Sequence, residues 1–167
     1  RGARGFAPLR RLVNDSLNCG RQDRTASVCR RRPGVFAMRV LFVEDSEINR
    51  RVIREMLRAG GIEMAEAEDG AAGLKMIEDN EYDLILMDLR MPGMDGMTAI
   101  RHLRARDDWK GRLPVIVITA DAGATIEIDC KNAGADDVIL KPVSMSALFD
   151  TIGALVAKRG GDAVVLA

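Results

Sequence analysis

The segment from Tyr82 to Gly96, which reads YDLILMDLRMPGMDG, constrains the fold of this chain more than any other. It opens with four consecutive apolar residues at 84–87, a run short enough for a strand that is buried on both faces. The run ends on a carboxylate, Asp88, after which Pro92 and Gly93 favour a turn. Open parallel sheets bind their ligands at the carboxyl ends of the strands. A single acid at that position makes Asp88 the first candidate for a functional residue.

Strand-like and helix-like segments alternate from Met38 onward, and this pattern predicts an α/β fold. The predicted strands span residues 39–43, 62–67, 84–88, 114–119 and 137–140. The first predicted helix is capped by Ser46 and stopped by Gly60-Gly61, and the second starts at Asp69-Gly70. The other predicted helices span residues 95–105, 120–133 and 145–158. Five successive βα units imply a doubly wound parallel sheet with helices on both faces and right-handed crossovers.

The distribution of charge divides the chain near Met38. Residues 1–37 contain nine arginines and two aspartates, a net charge of +7, whereas the remainder has 16 basic and 23 acidic residues, a net charge of −7. We therefore predict a basic, disordered extension at 1–37, a folded domain at 38–159 and a short tail at 160–167. The extension is open to three interpretations: an arm for nucleic acid or acidic lipid, a targeting peptide, or sequence outside the working domain. The last is favoured because Met38 directly precedes the first predicted strand.

Several classes of protein and of site are disfavoured by composition. No apolar run approaches the roughly 20 residues of a membrane span, so a soluble domain without a membrane partner is expected. The three cysteines, Cys19, Cys29 and Cys130, form no CxxC or Cys/His pattern, and their usage is typical of a reducing cytoplasm. His102 is the single histidine, which disfavours a histidine-based triad or metal cluster.

The predicted sheet edge collects polar side chains from four strands. They are Glu44 and Asp45 after the first strand, Asp88 in the third, Thr119 in the fourth and Lys141 after the fifth. Three neighbouring carboxylates repel one another and need a compensating cation, and an oxygen-rich site with room for water suits Mg²⁺. Asp88 is then a candidate carboxylate nucleophile for phosphoryl transfer, with Lys141 and Thr119 on the phosphoryl oxygens.

In this order and at these strand ends, the residues resemble the receiver domain of two-component response regulators. The segments DLILMDLRMPGMDG and NAGADDVILKP extend the resemblance across residues 39–158. The resemblance implies a flavodoxin-like five-stranded sheet in the order 2-1-3-4-5. It also implies that Mg²⁺ is held by Glu44, Asp45, Asp88 and the backbone carbonyl of Arg90, and that the peptide bond before Pro142 is cis, which aims Lys141 at the phosphate.

The resemblance further implies phosphorylation of Asp88 by a histidine kinase or a histidine phosphotransfer protein. The expected output is contact with a downstream protein, or a homodimer formed on phosphorylation, through the fourth helix, fifth strand and fifth helix. Nucleic acid is not expected as a partner. Catalysis is expected to be limited to the protein's own phosphoryl transfer and dephosphorylation, so the chain is predicted to be a cytoplasmic switch and not an enzyme.

Three features of the sequence depart from, or add to, this family pattern. Val138 stands where receivers commonly carry an aromatic residue, so output is expected to depend on shifts of the helix predicted at 120–133. Arg90 and Asp121 each lie two residues beyond a site residue, and an ion pair between them would shield the phosphate. In the first helix, Ile48 and Val52 are either part of the core face or a docking surface for a phosphotransfer helical bundle.

Three alternatives to a phosphorylated receiver are open. One is a pseudo-receiver that acts only as a binding module. A second is a dehalogenase-type phosphohydrolase, disfavoured because Arg90 occupies the position of its second aspartate. The third is a flavodoxin-like cofactor binder, disfavoured because Glu44 and Asp45 would repel a phosphate.

Overall fold

The computed structural model describes residues 38–161. Its strands are β1 (Arg39–Val43), β2 (Glu63–Ala67), β3 (Leu84–Asp88), β4 (Val115–Thr119) and β5 (Asp137–Leu140). Its helices are α1 (Glu47–Ala59), α2 (Gly70–Asp79), α3 (Gly96–Arg104), α4 (Ile126–Ala133) and α5 (Met145–Gly161), with a 3₁₀ turn at Trp109–Arg112. The disordered basic extension predicted at 1–37 lies outside the described residues.

The five strands form one parallel sheet in the order β2-β1-β3-β4-β5, as the resemblance implied. The register pairs Val43 of β1 with Met87 of β3, and Asp88 with Ile118 of β4. Thr119 pairs with Leu140, the last residue of β5. All the strands therefore end at one edge of the sheet, and the residues that follow them meet there.

The sheet separates the hydrophobic core into two layers. One layer packs the strand residues of one parity, such as Leu41 and Ile85, against α2, α3 and α4. The other packs the opposite parity, such as Phe42 and Leu86, against α1 and α5. Every residue of β3 and β4 is buried, which is the pattern expected of central parallel strands covered on both faces. Within the described residues, no helix is long and apolar enough to cross a membrane.

Helix α4 starts later than predicted: it begins at Ile126 and not at Ala120. Its carboxyl end has a left-handed glycine cap at Gly134, while Thr125 at its amino end makes no side-chain cap hydrogen bond. The preceding loop has polar contacts of its own, because the Asp121 N–H donates to Thr119 Oγ1 and the Asp121 carboxylate accepts from the Gly123 N–H. Such local bonds offer the backbone an alternative to helix and account for the late start.

Some apolar residues of α1 and α5 that helical periodicity would place in the core are exposed. Ile53 and Leu57 face the core, whereas Ile48 is 76% exposed and Val52 46% exposed. Ile48 and Val52 are therefore not core residues. In α5, the helical spacing that buries Leu148 and Ile152 also predicts an inward Val156, but this side chain is 45% exposed. This helix continues through Gly161, so the first two residues of the predicted tail are helical.

Helix α3 begins in direct contact with the backbone of β3. A methyl group at Gly96, its first residue, would overlap the carbonyl oxygen of Asp88. The Gly96 N–H donates to the Leu89 carbonyl at 3.2 Å, and Asp95 caps the helix by accepting from the Thr98 N–H at 2.9 Å. The absence of a side chain at Gly96 thus allows the helix to approach the strand end that carries the candidate nucleophile.

We predict that Gly96→Ala lowers the free energy of unfolding by about 3 kcal/mol, because backbone must move to admit the methyl group. The matched control is Gly153→Ala in α5, where no atom lies within 4 Å of the added methyl group. That change should raise stability by up to about 1 kcal/mol, since alanine is the better helix former. Urea unfolding followed by circular dichroism measures both, and equal stability of the two variants would contradict the close contact.

Candidate functional site

Three carboxylates converge where β1 and β3 end. Glu44 and Asp45 directly follow β1, and Asp88 is the last residue of β3. Each offers an oxygen within 4.8 Å of the others. Glu44 and Asp88 are 1% and 3% exposed, whereas Asp45 is exposed. The register of neighbouring parallel strands produces this cluster, and two of its acids have little access to water.

The Lys141 ammonium lies between the two buried acids. Its Nζ is 2.7 Å from Glu44 Oε2 and 3.0 Å from Asp88 Oδ1. Burial opposes the charged ammonium, but the hydrogen bonds to Glu44 and Asp88 and the charges of both outweigh it, so the pKa of Lys141 lies above its ordinary value. The Lys141–Pro142 peptide bond is cis, as the resemblance implied. Lys141 supplies a positive charge between two of the three acids of the cluster.

The second oxygen of Glu44 is held by the start of α1. Glu44 Oε1 accepts from the Ser46 N–H at 3.3 Å and from Asn49 Nδ2 at 3.1 Å. Sequence reasoning did not identify Asn49. Its position three residues after the helix-capping Ser46 was an available signal, because a side chain there reaches back over the first turn.

Thr119 and Arg90 complete the set of predicted site residues. Thr119 is fully buried at the end of β4, and its hydroxyl accepts from the Asp121 N–H at 3.1 Å. Thr119 therefore contacts the loop that precedes α4. The Arg90 N–H donates to Asp88 Oδ2 at 3.2 Å, which places the residue proposed to offer a backbone carbonyl directly beside the acid.

Arg90 and Asp121 form the ion pair anticipated from the sequence. Arg90 Nη2 lies 2.7 Å from Asp121 Oδ2 and joins the loop after β3 to the loop after β4. The side-chain hydrogen bond from Arg90, together with the Gly123 N–H, holds the pKa of Asp121 below its ordinary value. Val138, at the position of the usual aromatic residue, is partly buried and packs against the core layer that contains α4.

This arrangement has the chemistry of a phosphoryl-transfer site. A buried carboxylate is available as a nucleophile, and a lysine and a threonine stand at neighbouring strand ends. The three clustered acids carry more negative charge than the Lys141 ammonium balances, and all their donor atoms are oxygens. Oxygen ligands with a surplus of negative charge are those that Mg²⁺ prefers, so the residues present fit this ion.

Comparison with known families and sequences points in the same direction. Residues 40–153 match the family model of the response regulator receiver domain. The transcriptional regulatory protein PrrA of Mycobacterium tuberculosis is 35% identical over 130 residues, which are 78% of this chain and 54% of PrrA. The chain thus spans about half the length of that relative. The chemotaxis protein CheY of Pseudomonas aeruginosa is 34% identical over 125 residues, which are 74% of this chain and all of CheY.

A solved structure links this fold to a metal ion. The receiver domain of a sensor histidine kinase from Pseudomonas aeruginosa has a TM-score of 0.64 and 35% identity to this chain. The match covers 70% of this chain and 94% of that domain. That domain was crystallised with a magnesium ion coordinated in its active-site cleft.

We predict that Lys141→Met lowers the free energy of unfolding by about 2 kcal/mol in metal-free buffer at pH 7, because two buried acids lose their cation. The expected loss is smaller than for a fully buried ion pair because the Lys141 side chain is 22% exposed. Because the pKa of Lys141 is raised in the folded protein, the stability that its charge provides should be present at neutral pH. That stability should be lost only as the pH rises through the raised pKa.

The control for this prediction is Lys131→Met, which removes an exposed ion pair with Glu127 on α4. Because both partners of this pair are exposed, its loss should destabilise the fold much less than the loss of Lys141. Urea unfolding in the presence of EDTA compares the variants. An equal loss of unfolding free energy in the two variants would mean that Lys141 does not offset the charge of the cluster.

Proposed function

The chain belongs to the response regulator receiver domain family, and from this membership we propose that it is a signalling switch phosphorylated on Asp88. The phosphoryl donor is a histidine kinase or a histidine phosphotransfer protein, and the reaction requires Mg²⁺. The observation that carries the proposal is the cluster of Glu44, Asp45 and Asp88 with the Lys141 ammonium among them. Family membership supports it, since receiver domains act as signalling modules of two-component systems.

The proposed reaction transfers a phosphoryl group from a histidine nitrogen to Asp88. A carboxylate oxygen of Asp88 attacks the phosphorus atom, and a P–O bond forms as the P–N bond breaks. The electron pair of the broken bond returns to the imidazole nitrogen of the donor. The product is an acyl phosphate on Asp88, which water later hydrolyses to release inorganic phosphate and restore the carboxylate.

The proposed Mg²⁺ site consists of Glu44, Asp45, Asp88 and the backbone carbonyl of Arg90. The bound ion would supply positive charge for the phosphoryl oxygens and for the acids around them. Burial of Glu44 and Asp88 supports this role, because an oxygen nucleophile is more effective where competing water is scarce.

Lys141 and Thr119 are proposed to respond to the new phosphoryl group. The Lys141 ammonium already lies 3.0 Å from Asp88 Oδ1 and would bond a phosphoryl oxygen attached there. The Thr119 hydroxyl contacts the Asp121 N–H at the start of the loop before α4. Movement of this hydroxyl toward the phosphoryl group would release that contact and shift the loop. Such a shift needs no aromatic residue at position 138, where this chain has a valine.

Two exposed apolar surfaces suit the partners of such a switch. On α1, Ile48 and Val52 lie on the helix that follows the acidic loop and are proposed to contact the helices of the phosphoryl donor. Ile128, Leu140 and Val156 are exposed on α4, β5 and α5, where a downstream protein or a second copy of the phosphorylated chain would bind.

Phosphorylation is tested by intact-protein mass spectrometry after incubation with acetyl phosphate. We expect one adduct of a single phosphoryl group that requires Mg²⁺ and is lost in Asp88→Asn. The matched control is Asp150→Asn on the exposed surface of α5, which should be labelled like the wild type. Absence of any adduct on the wild type would favour the alternative of a pseudo-receiver that acts by binding alone.

We further predict that Asp121→Asn shortens the lifetime of the phosphoryl group by a factor of about 2–5. The change breaks the Arg90–Asp121 pair that joins the two loops beside Asp88 and opens a path for water. Because an exposed ion pair restrains the two loops only weakly, the expected change in rate is small. Loss of ³²P label over time measures it, with Glu127→Gln as the control for an exposed pair that lies within α4 and does not join the two loops. An unchanged lifetime would exclude a shielding role.

A further inference from the structure

Arg50 is a buried charged residue that the proposed phosphoryl transfer does not use. Among the described residues, the buried polar or charged ones are Glu44, Arg50, Asp88 and Thr119. Three of these belong to the candidate site, whereas Arg50 lies in α1, with its side chain 9% exposed. A guanidinium with so little access to water needs several partners, and the identity of those partners suggests its role.

The Arg50 guanidinium bonds the backbone that carries two acids of the site. Its Nη1 donates to the carbonyl of Glu44 at 2.7 Å and to the carbonyl of Asp45 at 3.1 Å. On the other side, Nε donates to Glu66 Oε2 at 3.2 Å and Nη2 to Glu68 Oε1 at 3.4 Å. Arg50 therefore joins the acidic loop after β1 to the end of β2.

These contacts limit how the acidic loop can rotate. Glu44 and Asp45 lie between the end of β1 and the start of α1, where the regular strand pattern ends. A planar guanidinium presents its donors in a fixed geometry, so one nitrogen that bonds two successive carbonyls sets the orientation of both peptide groups. The directions in which the Glu44 and Asp45 side chains leave the backbone depend on those orientations.

We propose that Arg50 is a positioning residue of the metal site: it holds the Glu44–Asp45 backbone so that both carboxylates point to the position of the ion. This inference rests on the proposed function, because it requires the acidic cluster to bind Mg²⁺. Glu66 and Glu68 keep the guanidinium in place and neutralise much of its charge. Arg50 contacts neither the ion nor the phosphoryl group.

Position and charge lead to opposite expectations for the loss of Arg50. If Arg50 acted only by its positive charge, its removal would strengthen the binding of a cation to the nearby carboxylates. If it positions the carboxylates, its removal weakens binding even though the site becomes more negative. The sign of the change in Mg²⁺ affinity therefore distinguishes the two roles.

Isothermal titration calorimetry of the full chain with MgCl₂ provides the measurement. Arg50→Gln removes both the charge and the planar set of guanidinium donors, whereas Arg50→Lys keeps the charge and loses those donors. Each variant should bind Mg²⁺ about tenfold more weakly, which is the effect typical of losing a partner that orients metal ligands. The matched control is Arg54→Gln. Arg54 pairs with the same Glu66 but is 43% exposed, so its loss should leave the Mg²⁺ affinity unchanged within about twofold.

The results separate this inference from the proposed function. A wild-type chain that binds no Mg²⁺ would overturn the proposed metal site itself. A wild type that binds Mg²⁺, together with a folded Arg50→Gln that binds equally or more tightly, would overturn only the role of Arg50. Urea unfolding establishes which variants are folded. If Arg50→Gln is not folded, Arg50→Lys decides, and a wild-type affinity for that variant would overturn the proposal.

Discussion

The repulsion between buried carboxylates is the physical constraint on which this structure depends. Glu44 and Asp88 are almost inaccessible to water, Asp45 lies beside them, and the Lys141 ammonium between the two buried acids reduces the cost of bringing them together. The same surplus of negative charge that opposes folding suits a divalent ion, which would in turn offset the repulsion between the cluster and an anionic phosphoryl donor. The charge of this cluster therefore bears both on folding and on the binding of a cation at this edge of the sheet.

The scaffold around the cluster provides rigidity from several directions. The apolar strands β3 and β4 are buried along their whole length and fix Asp88 and Thr119 in register. Helix α3 approaches Asp88 closely because its first residue is Gly96. Asn49 holds one oxygen of Glu44 from α1. The charged side chains repel one another and would move apart if they were free to do so. Tight packing around them is therefore required to keep the site together.

Much of the fold could be predicted from the sequence because its strands are short, apolar in all but β2, and separated by clear breaks. The clustering of Glu44, Asp88 and Lys141 could also be predicted, since residues at the ends of parallel strands share one edge. The start of α4 could not, because the bonds of Asp121 to Thr119 and Gly123 compete with helix formation. The burial of Arg50 could not be predicted from periodicity either. A charged residue is buried only when it has partners to bond, and the Arg50 partners lie in other segments of the chain.

The two ends of α4 differ in a way that bears on how a signal could spread. The carboxyl end is closed by Gly134 in a left-handed conformation, whereas the amino end, nearer the site, has no side-chain cap at Thr125. The helix has only eight residues, of which Cys130 and Ala133 are buried. Its first turn is thus held by little cooperative structure, and opening it requires much less free energy than global unfolding. Among the described residues, this uncapped helix start follows the loop that leads from Thr119, so the loop and the first turn of α4 can rearrange together without the loss of a side-chain cap.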